Sequence, residues 1–451
     1  MAHIGMFESC ITGHWFSSKG KEIWSDLSTL QAWLDVEAAL AQAQSKLGMI
    51  PVEAAEIITE KANANLLDME KISADIKSTM HPFVPVLRQF EALCGDAAGY
   101  IHWGATTQNI FDTALVLQLR ETHHLLLSSL ANVMHEMSLL AEKTKLMPQP
   151  GRSHGQHALP ITFGFKVAGW RAEIRRQYQR LEHASEDAFI ASMGGAVGTF
   201  SAMSGQGRLV QQNMAEILKL KSNELPVRSS CDSLSAYITQ FGLLASTIEK
   251  IAQEVIFLQR TEVAEIEESF HRGKVGSSTM SQKRNPQHAQ NLVGMSQLLQ
   301  SRMSLCNLSM VRMNEGDAAA SNIFDAAIPE IAITALSISE GMEKLIAGLC
   351  VYPDNMMKNL NMTGGLILSE AVMMELANTI GRAEAHHVLY EAAMNSVEHS
   401  LNYSECIMEE LHKCGLSDKL DMENLMNPVS YLGEAPECVD DELKRNVTLN
   451  Q

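Results

Sequence analysis

The feature that most constrains this chain is the lack of helix breakers over long runs. Neither Gly nor Pro occurs from Asp112 to Met147, from Trp170 to Met193, from Leu243 to Arg272 or from Met295 to Glu315. Pro removes a helical hydrogen bond and clashes with the preceding turn, and Gly raises the entropic cost of ordering the backbone. Runs free of both can stay helical from end to end. In the first run Leu115, Leu119, Leu126, Leu130, Val133, Met137 and Leu140 recur at the spacing of one helix face. At 1.5 Å per residue that run spans on the order of 50 Å, whereas an average globular helix has about 11–12 residues. Four such helices in the middle of the chain predict an all-α protein built on a long bundle.

The third run carries a second message. Leu243, Leu244, Ile248, Ile251, Val255 and Ile256 nearly encircle its axis, and a helix apolar on every side is buried. The apolar surface exceeds what one chain is expected to cover. The expectation is therefore a homo-oligomer with a shared central bundle, with a large monomeric all-α domain as the alternative. Pro51, Pro82 and Pro85 break the first part of the chain into shorter segments, and the Val351–Asn355 turn marks a second break. The resulting division is an N-terminal helical domain at 1–106, a central long-helix domain at 107–350 and a C-terminal helical domain at 351–451. The polar, acidic tail from Pro428 to Gln451 is expected to fray.

Charge narrows the function. With 35 Lys and Arg against 53 Asp and Glu, the formal charge is −18. A sequence-independent nucleic-acid binder needs a basic footprint and is disfavoured. An anionic small molecule is not, because a few local arginines and helix N-termini outweigh a distant field. No apolar run reaches the roughly 18–20 residues of a membrane span, and the N-terminus has no basic region followed by an apolar stretch. The eight cysteines are scattered without a Cys-x-x-Cys pair. They read as reduced thiols of a cytoplasmic protein, not as a disulfide framework or zinc site.

Three polar, Gly-containing segments interrupt the helical pattern. The first is His102-Trp103-Gly104-Ala105-Thr106-Thr107-Gln108-Asn109, which places hydroxyls, an amide and backbone N–H groups at the start of a long helix. That is an anion site, or simply an N-cap. The second is Gly151-Arg152-Ser153-His154-Gly155-Gln156-His157, read as a loop between helices. Its histidines suit acid–base work better than metal binding, because no acidic or Cys ligand stands beside them. The third is Gly273-Lys274-Val275-Gly276-Ser277-Ser278-Thr279-Met280-Ser281-Gln282-Lys283-Arg284-Asn285-Pro286. It supplies backbone freedom, hydroxyls and a Lys-Arg-Asn cluster for carboxylate oxygens. Read alone it is also compatible with a flexible surface loop, and it lacks the Walker A pattern.

In this order and spacing the three segments resemble the signature regions of the fumarase/aspartase superfamily, the third matching its Gly-Ser-Ser-x-Met-Pro-x-Lys-x-Asn-Pro fingerprint. The resemblance covers essentially the whole chain and is closest to the branch of adenylosuccinate lyases and 3-carboxy-cis,cis-muconate cycloisomerases. It implies a three-domain all-α fold and a homotetramer with a twenty-helix core, five helices per subunit. It further implies active sites shared by three subunits, a small dicarboxylate substrate, and β-elimination of fumarate without a cofactor or metal.

By the same resemblance Ser277 is the catalytic base, Lys283 and Asn285 hold the carboxylate that becomes a dianion, and His154 protonates the leaving atom. Thr106, Thr107, Gln108, Ser153, Gln259, His81, Ser278 and Met280 fall at substrate-binding positions. Ser281 replaces the fingerprint Pro, Gln290 stands where adenylosuccinate lyases carry a Glu paired with the acid His, and Asn109 stands where many members have Asp. The two Arg positions that grip a nucleotide phosphate in adenylosuccinate lyases are Gly316 and Asp325 here. Asp325 repels a phosphate dianion. The expected reaction is therefore release of fumarate from a smaller N- or S-succinyl compound such as S-(2-succino)cysteine. Adenylosuccinate lyase, cycloisomerase and non-enzymatic roles are the alternatives.

Overall fold

A computed structural model describes residues 5–417 and 420–445; the end of the tail, 446–451, lies outside the described residues. The principal elements in chain order are α1 (Asp26–Lys46), α2 (Phe83–Cys94), α3 (Thr107–Thr144), β1 (Pro148–Ser153), β2 (Gln156–Thr162), α4 (Phe163–Ala188), α5 (Asp232–Leu258), β3 (Ile266–Glu267), α6 (Gln287–Ser309), α7 (Ala318–Ala347), β4 (Cys350–Val351), α8 (Ser369–Ile380), α9 (Arg382–His399), α10 (Tyr403–Lys413) and α11 (Ala435–Leu443). The all-α expectation holds, with short two-stranded pairings between helices.

The chain divides into two compact units. One gathers Met1–Leu130, Gln177–Glu249 and Gly294–Gly341; the other gathers Ala131–Arg176, Lys250–Val293 and Met342–Gln451. Every dividing point falls inside one of the long helices α3 to α7.

Among the described residues there are five long central helices, not the four that Gly- and Pro-free runs indicate. The fifth, α7, contains Pro329 and Gly341 and so escapes that criterion. An interior Pro costs about 3 kcal/mol, but Ile328, Ile331, Ala332, Ala335, Leu336 and Ile338 are all buried. At roughly 1.5–3 kcal/mol for each large side chain, burial outweighs the lost bond. By length and hydropathy α7 could cross a membrane, yet 67% of its apolar window is buried within the protein, as in a core helix. The run from Leu243 to Arg272 also ends early, at Leu258. Nothing in its sequence stops the helix. Other bonds replace its continuation: Tyr352 N–H, distant in the chain, donates to the Glu265 carbonyl, and nearby Glu268 N–H donates to Gln259 Oε1.

In the first unit, α1 and α2 pack a core around Leu34, Val36, Leu40, Ile58, Val86 and Phe90. The start of α3 enters this core through Ile110 and Ala114. Phe111 stacks on Trp33 at 4.3 Å between ring centroids and meets Phe83 edge-on at 5.7 Å. In the second unit, α8, α9 and α10 share a core of Val372, Leu376, Leu389, Ile407 and Leu411. The tail expected to fray is held as far as residue 445. Glu442 in α11 is buried and accepts from both Arg171 and Arg175 of α4.

Candidate active site

The first signature segment, in the first unit, begins α3. Asn109 is 1% exposed, and its Oδ1 accepts from the backbone N–H groups of Thr106 (3.2 Å) and Gly195 (3.1 Å). This oxygen ties the start of α3 to the Gly195 backbone, while the buried Nδ2 has no hydrogen-bond partner among the described residues. Thr106, Thr107 and Gln108 are half-buried at the same helix end. Gln108 Nε2 donates to Asp112 Oδ1 at 2.7 Å. Burial raises the Asp112 carboxyl above the ordinary range, against the Gln108 hydrogen bond and the charges of Arg312 and Arg228. His81, also in this unit, accepts from Phe83 and Val84 N–H at Nδ1, both at 3.3 Å. It caps α2, and accepting at Nδ1 leaves the ring proton of the neutral form on Nε2.

The second segment is not a loop between helices but the tip of the β1–β2 hairpin. Ser153 pairs with Gln156, so His154 and Gly155 form the two-residue connection, with φ of 53° and 76°. Positive φ at both central residues is what a tight hairpin turn of this length requires. For His this conformation costs roughly 1–2 kcal/mol, and it leaves both Ser153 and His154 exposed. The hairpin is fixed from below by Glu265. This fully buried carboxylate takes bidentate donation from Arg152, a 2.7 Å bond from Gln149 and a 2.8 Å bond from Asn359. His157 Nδ1 is buried without a hydrogen-bond partner. Burial and the Arg152 charge lower its pKa, while Glu265 opposes.

The third segment forms a loop between β3 and α6. Ser277 Oγ accepts from the N–H groups of Thr279 (3.3 Å) and Met280 (3.1 Å). Asn285 Nδ2 donates to Gly276 O at 2.7 Å, closing the loop on itself. A Cβ at Gly276 would lie 2.2 Å from the Lys283 carbonyl oxygen, so only Gly allows that closure. Gln259 Nε2 donates to Arg284 O at 3.2 Å. Ser278, Met280, Ser281 and Lys283 are exposed.

An open cleft in this second unit brings together Gln259, Met280, Lys283, Asn285 and Gln290. Ser153 and His154 are not among its lining residues, although they belong to the same unit. His81 and Thr106 to Gln108 belong to the first unit.

Sequence reasoning missed the residues that carry the loop. Glu268 is 3% exposed and accepts from Lys274 Nζ (3.0 Å) and from the N–H groups of His288 and Ala289 at the start of α6. Glu265 anchors the hairpin in the same way. Both sit in a run whose composition reads as helix. The only available signal was the cluster Glu262, Glu265, Glu267 and Glu268 at the end of a run that is mostly apolar before it.

Residues 17–300 match the family described as Lyase, and residues 365–441 match the one described as Adenylosuccinate lyase C-terminus. An N-acetyl-S-(2-succino)cysteine lyase of Dickeya dadantii is 35% identical over 426 residues, covering 94% of this chain and 93% of that protein. An adenylosuccinate lyase of Methanocaldococcus jannaschii is 36% identical over 434 residues, with coverage of 94% and 93%. The solved structure of a 3-carboxy-cis,cis-muconate lactonizing enzyme from Pseudomonas putida superposes with a TM-score of 0.89 at 30% identity, covering 96% of this chain and 97% of that one. With the three signature segments in place on this fold, the chain belongs to the fumarase/aspartase superfamily, in the branch of adenylosuccinate lyases and carboxymuconate cycloisomerases, and is a lyase.

Proposed function

We propose that this lyase eliminates fumarate from a small N- or S-succinyl compound, of the kind exemplified by S-(2-succino)cysteine. Ser277, as alkoxide, takes the proton from the carbon next to the retained carboxylate. Lys283 and Asn285 hold that carboxylate as it becomes a dianion, the preorganised charge stabilisation that is often the largest catalytic contribution. The electron pair forms the fumarate double bond, the C–S or C–N bond breaks toward the heteroatom, and His154 protonates the leaving atom. Thr106, Thr107, Gln108, Ser153, His81, Gln259, Ser278 and Met280 bind the substrate.

The observation that supports this reading is the environment of Ser277. Two backbone N–H groups already donate to its Oγ, and hydrogen bonds to an oxygen favour its charged form. A small leaving group is supported by the absence of Arg at 316 and 325, and by the similarity to an N-acetyl-S-(2-succino)cysteine lyase. The candidate residues fall in separate units, and long helices leave Leu139, Leu243, Leu298 and Leu308 exposed in the single chain. Both support a homotetramer with sites shared between three subunits; cytoplasmic action without a cofactor is part of the same proposal.

The test is fumarate release, followed by proton NMR, from S-(2-succino)cysteine, its N-acetyl form, N-succinyl amino acids, argininosuccinate and adenylosuccinate, with carboxymuconate assayed for lactone. Release from small adducts is the expected result. Release from adenylosuccinate alone, or lactone formation alone, overturns it.

A further inference from the structure

The first unit holds a pocket that the signature residues do not account for. Asp112, Arg228, Cys231, Arg312 and Phe324 line it. It adjoins the first signature segment through the Gln108–Asp112 hydrogen bond. Two half-buried guanidinium groups meet there. Arg312 lies over the Phe324 ring, 5.3 Å from its centroid, and donates from Nη1 to the Arg228 carbonyl at 3.2 Å and from Nε to Ser309 O at 3.2 Å. Arg228 donates from Nη1 to Ala196 O, while its buried Nε has no hydrogen-bond partner.

None of these partners is a carboxylate. Neither guanidinium forms an ion pair among the described residues. Arginine is the side chain suited to gripping a planar anion with two parallel bonds.

Aspartates also surround the pocket, and Asp325 stands beside Arg312. Asp187 and Asp232 are exposed, where water and salt screen them. Burial raises the carboxyl of Asp112, against the Gln108 hydrogen bond and the charges of Arg312 and Arg228.

Gly316 connects this arrangement to substrate choice. A Cβ there would lie 3.2 Å from Arg228 Nη2 and 3.3 Å from its Cζ and Nη1. The position that carries a phosphate-gripping Arg in adenylosuccinate lyases is here kept bare, and a guanidinium from a different part of the chain stands against it.

We propose that Arg228 and Arg312 form a carboxylate subsite that recognises the leaving group, so that the preferred substrates are succinyl adducts of amino-acid thiols or amines with a free carboxylate. This rests on the reading of the chain as a succinyl-adduct lyase. A carboxylate suits two neighbouring guanidiniums, whereas a phosphate dianion meets Asp325 where that family pattern has Arg. The subsite specifies the leaving group and takes no part in proton transfer.

The experiment uses the full chain and two probes that differ only in charge, N-acetylcysteine and N-acetylcysteine amide. Their binding is measured by calorimetry, and fumarate release from their S-(2-succino) adducts is measured in parallel. The acid is expected to bind on the order of tenfold more tightly than the amide, as losing a charge-assisted bidentate contact implies. The adducts are expected to differ by a similar factor in KM with little change in kcat. Arg228→Gln should remove the preference and Arg228→Lys should keep part of it. Equal binding of acid and amide by the unmodified protein overturns the subsite without relying on any variant, and so does a preference that survives Arg228→Gln. Acid-selective binding that is lost in Arg228→Gln, with no fumarate from either adduct, leaves the subsite standing and overturns the proposed reaction instead.

Discussion

The start of α3 and the Ser277 loop both supply candidate substrate contacts, but they are built in opposite ways. At the start of α3 the polar groups ride on buried structure. Asn109, Ile110 and Thr113 are all 1% exposed or less, and Phe111 is clamped by Trp33 and Phe83. Residues 278–284 are all exposed. The loop is held at its base by Glu268, Asn285 and Gln259, with little packing along its length. Segments with few buried contacts are the ones that open and close at low cost. On the proposed reaction, the difference corresponds to preformed binding in the first region and a closing step in the second.

The largest effect is expected at the loop. Ser277→Ala should lower turnover by about 10²–10⁴-fold, the usual worth of a positioned general base. The thermal unfolding midpoint and sedimentation coefficient should stay unchanged, because the hydroxyl contacts only backbone two and three residues away. Near-normal turnover would remove Ser277 from the base position.

The converse substitution is Phe83→Ala. It deletes a side chain only 2% exposed and packed edge-on against both Trp33 and Phe111, so chemical denaturation should show a loss of about 3–5 kcal/mol. Comparable stability losses from Phe83→Ala and Lys283→Ala would erase the contrast between the two regions.

A smaller effect is expected at the Arg228 pocket. Gly316→Ala places a methyl within 3.2–3.3 Å of the guanidinium and should raise KM severalfold for a carboxylate-bearing adduct, with kcat nearly constant. The pocket should also respond to pH. Burial and the Asp112 charge push the Asp325 carboxyl up to about 6, with Arg312 opposing and part of the side chain still in water. Below that value Asp325 is neutral; above it, a negative charge appears beside Arg312. Affinity for N-acetylcysteine should therefore fall as pH rises through about 6, and Asp325→Asn should flatten the profile. A profile unchanged by Asp325→Asn would detach this carboxyl from the pocket. The smallest signal is hydrogen exchange: amides of 278–284 should exchange faster than those of 109–113 and slow when a dicarboxylate is bound.

Much of this was legible from local signals. Runs without Gly or Pro mark α3, α4, α5 and α6, and three polar segments between them mark the candidate chemistry. The failures share a cause. Pro148, Pro150 and Pro160 disguise the hairpin, because Pro argues against strands except at sheet edges, and a two-stranded hairpin consists of edges. Pro329 hides α7, whose stability comes from buried neighbours and not from propensity. The stop at Leu258 has no sequence marker, because side-chain and long-range bonds such as Tyr352 N–H to Glu265 O replace the helix.

The sequence by itself determined the helical class, the three polar segments, and the loss of Arg at 316 and 325. The first two follow from periodicity and backbone chemistry, which act over a few residues; the third follows from the family resemblance. Only the tertiary structure decided that Glu265 and Glu268 are anchors, that Asn109 Oδ1 accepts from Thr106 and Gly195, and that Arg228 stands against Gly316. Each of these depends on burial and on a partner far away in the chain, and burial is what turns an ordinary charge or amide into a fixed one.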